Sequence, residues 1–530
     1  MDTMVQVKNH LSITNSNSEE NMIKNIITAL NESTKENSSR IAYDEMGTTH
    51  TYQELLDQSN ALAAWLDQQD LPAKSPILVF GDHQFEMIVS FVGILKTGHP
   101  YIPVSSDSAL PRMQSILDTA QPSLVIGVDD FPADQLKFSA NVIKSGQLDQ
   151  ILAGDHNFTG EEMVKGHDLA YVLFTSGTTG SPKGVEVTQD NFRTFVDWML
   201  SDDFKLPHHV NFLGQPPYSF DLSNMYWLPA LLSGSTIKAI PHTVVENFGQ
   251  LFTALPKLDL NVFVGTPSFA DMLTLSPAFN EQQMPGLQVF LFCGEELTVR
   301  TAKTLQQRFP HARIFNTYGP TETTVAVTQV EITPEVVANN DRLPVGYAKQ
   351  GVTLSIWNGD QQITEPGQQG EIIIAGDSVA NGYMNNPEKT KKAFFELNGQ
   401  PAYRTGDAGI LDADGLLHHK GRMDFQIKIH GFRVELAEVR TSLEKSKYIK
   451  QAVAVPKYNA NHQVSHLIAY VIPAENDFSD DKELTAAIRD DLKGLIMPYM
   501  MPTQFIYRDS FPMSANGKIA VKQLISEANK

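Results

Sequence analysis

The sequence holds a single cysteine, Cys293, in 530 residues, which excludes internal disulfides and cysteine-cluster metal sites and fits a reducing compartment. Positive charge is also scarce: 41 Lys and Arg face 61 Asp and Glu, a formal net charge of -20. A nucleic-acid surface needs a basic stripe to neutralise phosphates, so this balance argues against one, and any phosphate site has to be locally basic. No apolar run approaches the ~20 uncharged residues of a membrane span; even 77–95 is interrupted by Asp82, His83 and Glu86. The residues at the start, among them Asn15-Ser16-Asn17-Ser18-Glu19-Glu20-Asn21, lack the continuous apolar core of a signal peptide. They read as a mobile tail, 1–22. The expected setting is cytoplasmic, with no membrane insertion and no nucleic-acid partner.

What is present fits an ordinary globular protein, with 42% hydrophobic and 19% charged residues. The length exceeds one core, and at ~150 residues per domain it suggests about three or four compact units. From about Ile23 to Gly415 short apolar strands alternate with amphipathic helices, the signature of a parallel sheet with both faces covered. After Val345 the helices thin out, and Leu354 to Trp357, Glu371 to Ala375 and Leu416 to His419 read as antiparallel strands joined by turns. From Asp424 on, the order becomes strand, helix, strand, helix. The predicted fold class is therefore α/β. A large N-terminal domain, 23–421, combines layered parallel-type sheets and helices with a small β-barrel-like part, and a small mobile α+β domain, 422–530, follows.

Behind the apolar run Tyr171-Val172-Leu173-Phe174 comes Thr175-Ser176-Gly177-Thr178-Thr179-Gly180-Ser181-Pro182-Lys183-Gly184. A buried strand that empties into hydroxyls, glycines and a lysine offers small donors and a cation to a polyphosphate. It is not the common P-loop, which needs Ser or Thr directly after Gly-Lys, whereas Lys183 follows Pro182 and precedes Gly184. Taken alone, such a stretch also describes a flexible surface loop. Three strand ends farther on add weight: Gly265-Thr266-Pro267-Ser268, Cys293-Gly294-Glu295 and Asn316-Thr317-Tyr318-Gly319-Pro320-Thr321-Glu322. Ligands sit at the carboxyl ends of strands in open parallel sheets, so these ends point to one crevice.

Further segments follow in order: Glu371 to Gly376 with Val379-Ala380-Asn381-Gly382-Tyr383, then Tyr403-Arg404-Thr405-Gly406-Asp407, then Gly421 to Leu436, and finally Asn516-Gly517-Lys518. In this order the motifs resemble the adenylate-forming ligase superfamily over everything past the tail. Phe220-Asp221-Leu222-Ser223, Phe292-Cys293-Gly294-Glu295, the run Thr317 to Thr328 and Lys428-Ile429-His430-Gly431 resemble in particular the branch that charges a D-alanyl carrier protein with D-alanine for (lipo)teichoic acid alanylation. Ala437 and Arg440 depart from the pattern, where relatives more often carry Glu or Gly and Glu.

The resemblance implies two steps: the carboxylate of D-alanine attacks the α-phosphorus of ATP, and the phosphopantetheine thiol of the carrier then takes the acyl group. Lys518 would bridge the carboxylate and the α-phosphate, although a lysine near a C-terminus is otherwise a solvated charge. Thr175, Ser176, Gly177, Thr178, Thr179, Gly180 and Lys183 would hold the outer phosphates of ATP. Thr321 would donate to the α-phosphate and Glu322 would bind Mg²⁺, unless Glu322 merely satisfies a helix dipole. Asp407 matches the acid that takes the ribose hydroxyls, with Arg422 beside it. Tyr318 would stack on adenine or be a plain core aromatic, and Asn316, Thr317, Gly319, Gly294 and Glu295 would line the nucleotide.

Asp221 sits in an apolar neighbourhood, where a lone carboxylate is costly unless paired, and a substrate ammonium can supply the partner. The alternative is an aspartate capping the helix that begins near Ser223. Phe220, Cys293 and Val325 would wall the methyl group, though a free cysteine is also commonly a small buried hydrophobe. Asp424 matches the hinge about which the small domain swings. Two other readings compete: a stand-alone peptide-synthetase-type adenylation enzyme or acyl-CoA ligase, and a non-catalytic nucleotide-binding protein. The second is disfavoured by the presence of Lys183, Glu322, Asp407 and Lys518 together.

Overall fold

The computed structural model describes residues 22–158, 160, 163–176, 182–423, 426–429, 431–459, 463–512 and 519–530. Counted over these, the first part of the chain builds a seven-stranded and a nine-stranded sheet. In the seven-stranded sheet Ile77–Gly81, Tyr101–Ser105, Leu124–Gly127 and Asn141–Ile143 run parallel, and Leu169–Thr175 joins Tyr101–Ser105 in the same sense. Lys183–Thr188 turns back antiparallel on Leu169–Thr175, so the phosphate-loop motif is the connection of a hairpin rather than of a crossover. The nine-stranded sheet carries Asn211–Gly214, Val262–Gly265, Val289–Phe292 and Arg313–Tyr318 side by side and parallel.

Strands such as Ile77–Gly81 and Val262–Gly265 are buried at every residue, which is why they read as unbroken apolar runs. One continuous core joins residues of both sheets with the helices Ile26–Glu36, Tyr52–Asp67, Phe85–Lys96 and Gln189–Met199. The outer face of the nine-stranded sheet packs on Pro267–Leu273 and Val299–Arg308, helices opened by side-chain caps from Thr266 and Thr298. A six-stranded antiparallel sheet follows, centred on Gln369–Gly376 and Gln400–Leu411, with Tyr318 in its core cluster. That contact brings its strand ends against the carboxyl edge of the nine-stranded sheet.

Past this sheet, the hairpin Gln426–Ile429/Phe432–Glu435 leads into helix Leu436–Leu443 and the three-stranded sheet Ile449–Tyr458, Val464–Pro473 and Gln504–Tyr507. Alternation along Ile449–Tyr458 splits the core: Ala452 and Ala454 face one cluster, Val453 and Val455 another against helix Val521–Ala528. Ala109 belongs to the first cluster and donates its backbone N–H to Met497 Sδ at 3.3 Å. The Phe432 and Tyr499 rings stack at 4.0 Å, and Arg112 lies 3.6 Å from Glu438. The hairpin is thereby held against the crevice. No helix among the described residues is long and apolar enough to cross a membrane.

Candidate active site

The carboxyl ends of Val289–Phe292 and Arg313–Tyr318, the strands of the six-stranded sheet and the hairpin enclose a cleft of about 290 Å³. Cys293, Gly294, Glu295, Asn316, Thr317, Tyr318, Gly319, Asp407 and Arg422 all line it, joined by Lys428 from the hairpin. Two of the expected nucleotide contacts are spent on the scaffold: Asn316 Nδ2 donates to the carbonyl of Pro344 at 2.7 Å and Thr317 Oγ1 to that of Phe292 at 2.8 Å. Asp407 accepts from the Tyr318 hydroxyl at 2.6 Å and from Arg422 Nη1 at 3.0 Å, with His419 Nε2 3.5 Å away. Burial pushes its carboxyl up, but the bond to His419 and the charges of His419, Arg422 and Lys428 outweigh it and hold Asp407 well below the usual carboxylate range. It is a permanent acceptor at the mouth of the cleft.

Glu322 stands deeper, 0% exposed, just after strand Arg313–Tyr318. Arg433 Nη1 reaches its two oxygens at 3.0 and 2.7 Å, the Tyr383 hydroxyl donates to Oε1 at 2.7 Å, and Lys183 Nζ lies 3.9 Å off. Burial raises this carboxyl, yet Arg433, Lys183 and Tyr383 together bring it down to about 2. Lys183 is lowered to about 8, because its own burial outweighs the attraction of Glu322. Ser176 Oγ donates to the backbone carbonyl of Arg433 at 2.5 Å, while the Thr175 hydroxyl is buried without a partner. The hairpin arginine thus fills the space in front of the carboxylate and ties it to the phosphate-loop motif.

Asp221 is the first residue of a short 3₁₀ turn, Asp221–Met225, and makes no capping bond to it, so the capping alternative does not hold. Its Oδ2 instead accepts from the Thr321 hydroxyl at 2.6 Å. Burial raises the Asp221 carboxyl to about 6, against the Thr321 bond and the charge of Lys428. Cys293 Sγ lies 3.9 Å from the Val325 carbonyl, and burial pushes its thiol up. Thr324 and Val325 hold φ of 59° and 68°, a left-handed pair costly for β-branched residues and supported by the surrounding core. The turn closes tightly on Gly319, where a Cβ would stand 2.6 Å from Ala326 Cα. A Cβ on Gly431 would collide with Thr266 and sit 3.2 Å from the Phe220 ring, so the hairpin turn reaches the pocket wall only because residue 431 is glycine.

Among the sequence-predicted residues, Cys293, Tyr318, Asp407 and Arg422 line this cleft, Thr175, Ser176, Phe220 and Thr321 line a second cavity with Arg433, and contacts link Asp221 to Thr321, Val325 to Cys293 and Lys183 to Glu322. Gly177, Thr178, Thr179, Gly180, Asp424 and Lys518 lie outside the described residues, as does the tail up to 21. The Thr321 hydroxyl, expected to donate to the α-phosphate, donates to Asp221 here. Sequence reasoning missed Arg433, Tyr383 and His419. Each stands inside or beside a quoted motif, and the signal that could have found Arg433 is a guanidinium two residues after Gly431, within the Gly421 to Leu436 motif. No cluster of three or more His, Cys, Asp or Glu suited to a metal occurs among the described residues.

This crevice, built from strand ends and capped by a hairpin arm, defines a nucleotide-activating class of enzyme. A family model described as AMP-binding enzyme matches residues 30–384. The chain is 53% identical to the D-alanine–D-alanyl carrier protein ligase of Lactiplantibacillus plantarum, covering 96% of this chain and 100% of that one. It is 49% identical to the protein of that name from Streptococcus pneumoniae, over 92% and 95%. Among solved structures, a double mutant of o-succinylbenzoate CoA synthetase from Bacillus subtilis, bound with a product analogue, superposes with a TM-score of 0.80 at 19% identity, covering 94% of this chain and 98% of that one. The chain belongs to the AMP-binding enzyme family and, within it, to the D-alanine–D-alanyl carrier protein ligases.

Proposed function

We propose that the chain activates D-alanine with ATP and transfers it to the phosphopantetheine thiol of a D-alanyl carrier protein in the cytoplasm, for D-alanylation of (lipo)teichoic acid. In the first step a carboxylate oxygen of D-alanine bonds to the α-phosphorus while the α–β bridging bond breaks and pyrophosphate leaves. In the second the carrier sulfur, having given up its proton, bonds to the acyl carbon as the bond to AMP breaks. The observation that carries the reading is Asp221: a buried carboxyl raised to about 6 beside Cys293 and Val325, hydrogen-bonded to Thr321 of the nucleotide motif. A buried acid lacking a full cation suits a substrate that brings its own, which D-alanine does and a simple carboxylic acid does not.

We assign 23–421 to binding ATP and D-alanine and 422–530 to the module that carries Lys518, swinging about Asp424. Asp407 and Arg422 take the ribose, Tyr318 the adenine, and Thr175, Ser176 and Lys183 the outer phosphates. Glu322 fits Mg²⁺ as a buried, fully ionised oxygen donor facing the phosphate lysine, with Arg433 drawn back. When bound, the cation shields charge on the phosphates. With Arg433 on Glu322 and the Gly431 turn at the pocket wall, the arrangement described suits the transfer step.

Pyrophosphate exchange with D-alanine, L-alanine, glycine and acetate tests the reading. D-alanine is expected to support exchange best and acetate not at all; a preference for L-alanine or acetate rejects it.

A further inference from the structure

None of the roles above uses Tyr383. Its short strand, Gly382–Tyr383, pairs with Lys183–Thr188, setting Tyr383 opposite Val185. Its ring therefore lies under Lys183, with Nζ 4.6 Å from the ring centroid and 3.4 Å from the hydroxyl. The same hydroxyl donates to Glu322 Oε1 at 2.7 Å and lies 3.3 Å from the Tyr403 hydroxyl. Tyr403 is fixed in turn by the Phe394 ring at 4.9 Å.

Lys183 and Glu322 are 3.9 Å apart and share no direct hydrogen bond. Opposite charges this close in a dry interior attract strongly, and direct contact would satisfy both and leave neither for a ligand. A hydroxyl that donates to one and accepts from the other prevents that collapse. We propose that Tyr383 is a positioning residue: its hydroxyl, steadied by Tyr403, keeps the Glu322 carboxylate and the Lys183 ammonium apart and aimed at the same polyphosphate. The inference rests on the functional reading above for the identity of that ligand.

Equilibrium titration with ATP and Mg²⁺, and separately with AMP, tests it on the full chain with Tyr383→Phe and Tyr403→Phe. The wild-type exchange assay checks the functional reading independently, since binding is read without turnover. Tyr383→Phe keeps the ring under Lys183 and is expected to unfold cooperatively like the wild type and to bind AMP unchanged. It should bind ATP with Mg²⁺ ~10-fold more weakly, the scale of one lost hydrogen bond to a charged group, and need several-fold more Mg²⁺ for half-saturation. Tyr403→Phe should shift both in the same direction by less. A folded Tyr383→Phe with wild-type ATP and Mg²⁺ dependence overturns the proposal, as does equal loss of ATP and AMP. Should Tyr383→Phe not fold, an unchanged Mg²⁺ dependence in Tyr403→Phe overturns it equally.

Discussion

Asp221 and Glu322 are two carboxylates in one crevice, 6% and 0% exposed, and their chemistry is opposite. Glu322 has a guanidinium, a phenol and a lysine around it and sits at about 2; Asp221 has one hydroxyl close by and sits at about 6. Burial works against ionisation at both, so the difference is made by partners alone. Glu322 has its counter-charge built into the chain, on the hairpin that carries Arg433. Asp221 has no such charge in contact with it among the described residues, and under the proposed function the ammonium of D-alanine would complete the pair.

The sharpest way to break that contrast is Asp221→Asn, which keeps an acceptor for Thr321 and removes the charge. Losing one partner of a buried ion pair typically costs 3–5 kcal/mol, so exchange with D-alanine should fall ~10²–10³-fold or more, read as kcat/KM. The same variant should be more stable than the wild type at pH 7. Asp221 is raised from 3.8 to about 6, so the folded chain binds a proton more tightly than the unfolded one. The penalty is thus full above about 6 and relieved as pH falls toward 3.8. At 1.36 kcal/mol per unit the gain on substitution is on the order of 3 kcal/mol at neutral pH, fading by pH 4, in denaturant titrations. By the same linkage, the wild-type KM for D-alanine should climb as pH drops below about 6; a flat KM between pH 7 and 5 would place the ammonium elsewhere.

Arg433→Met tests the other half. Glu322, lowered from 4.5 to about 2, contributes stability that is complete above 4.5 and lost as pH falls through that window. Without Arg433 the acid limb of the stability curve should flatten, and the chain should lose about 3 kcal/mol at pH 7, at the low end for a broken buried pair because Lys183 and Tyr383 remain. Exchange at saturating Mg²⁺ should persist while transfer to the carrier slows. Equal loss of both half-reactions would mean that Arg433 acts before the hairpin docks.

The contrast also marks how far the sequence could be read. The layered α/β class was legible because strands such as Val262–Gly265 and Val289–Phe292 are covered on both faces and appear as pure apolar runs. The phosphate-loop hairpin was not: Lys183–Thr188 is short and mixed, Lys-Gly-Val-Glu-Val-Thr, and only its pairing reveals its direction. At the site, the acids were visible as types out of place, Asp221 among aromatics and Glu322 after Pro320-Thr321. Their partners were not, because Arg433 meets Glu322 across 111 residues and Thr321 meets Asp221 across 100, and local spacing carries no trace of either. Tyr383 was hidden for another reason, since a buried tyrosine at a strand pairs its hydroxyl wherever the fold permits.

The smallest effect belongs to the pocket wall. Cys293 is buried, its sulfur 3.9 Å from the Val325 carbonyl, and burial pushes its thiol up, which suits the proposed role of pocket wall rather than nucleophile. Its partner wall is a turn in which Thr324 and Val325 are both left-handed, a conformation that fixes where the Val325 carbonyl points. If these two surfaces flank the substrate as proposed, a methyl group would be tolerated on one side of the α-carbon and crowded on the other. One misplaced methyl is worth ~1–3 kcal/mol, so the preference for D- over L-alanine should be strong but finite. Cys293→Ala removes only the sulfur and should lower the D/L ratio of kcat/KM by ~10-fold, chiefly by admitting L-alanine, with the Asp221-dependent acid limb of KM unmoved. An unchanged ratio would assign enantiomer choice to the Val325 turn alone and leave Cys293 as a small hydrophobe filling the end of its strand.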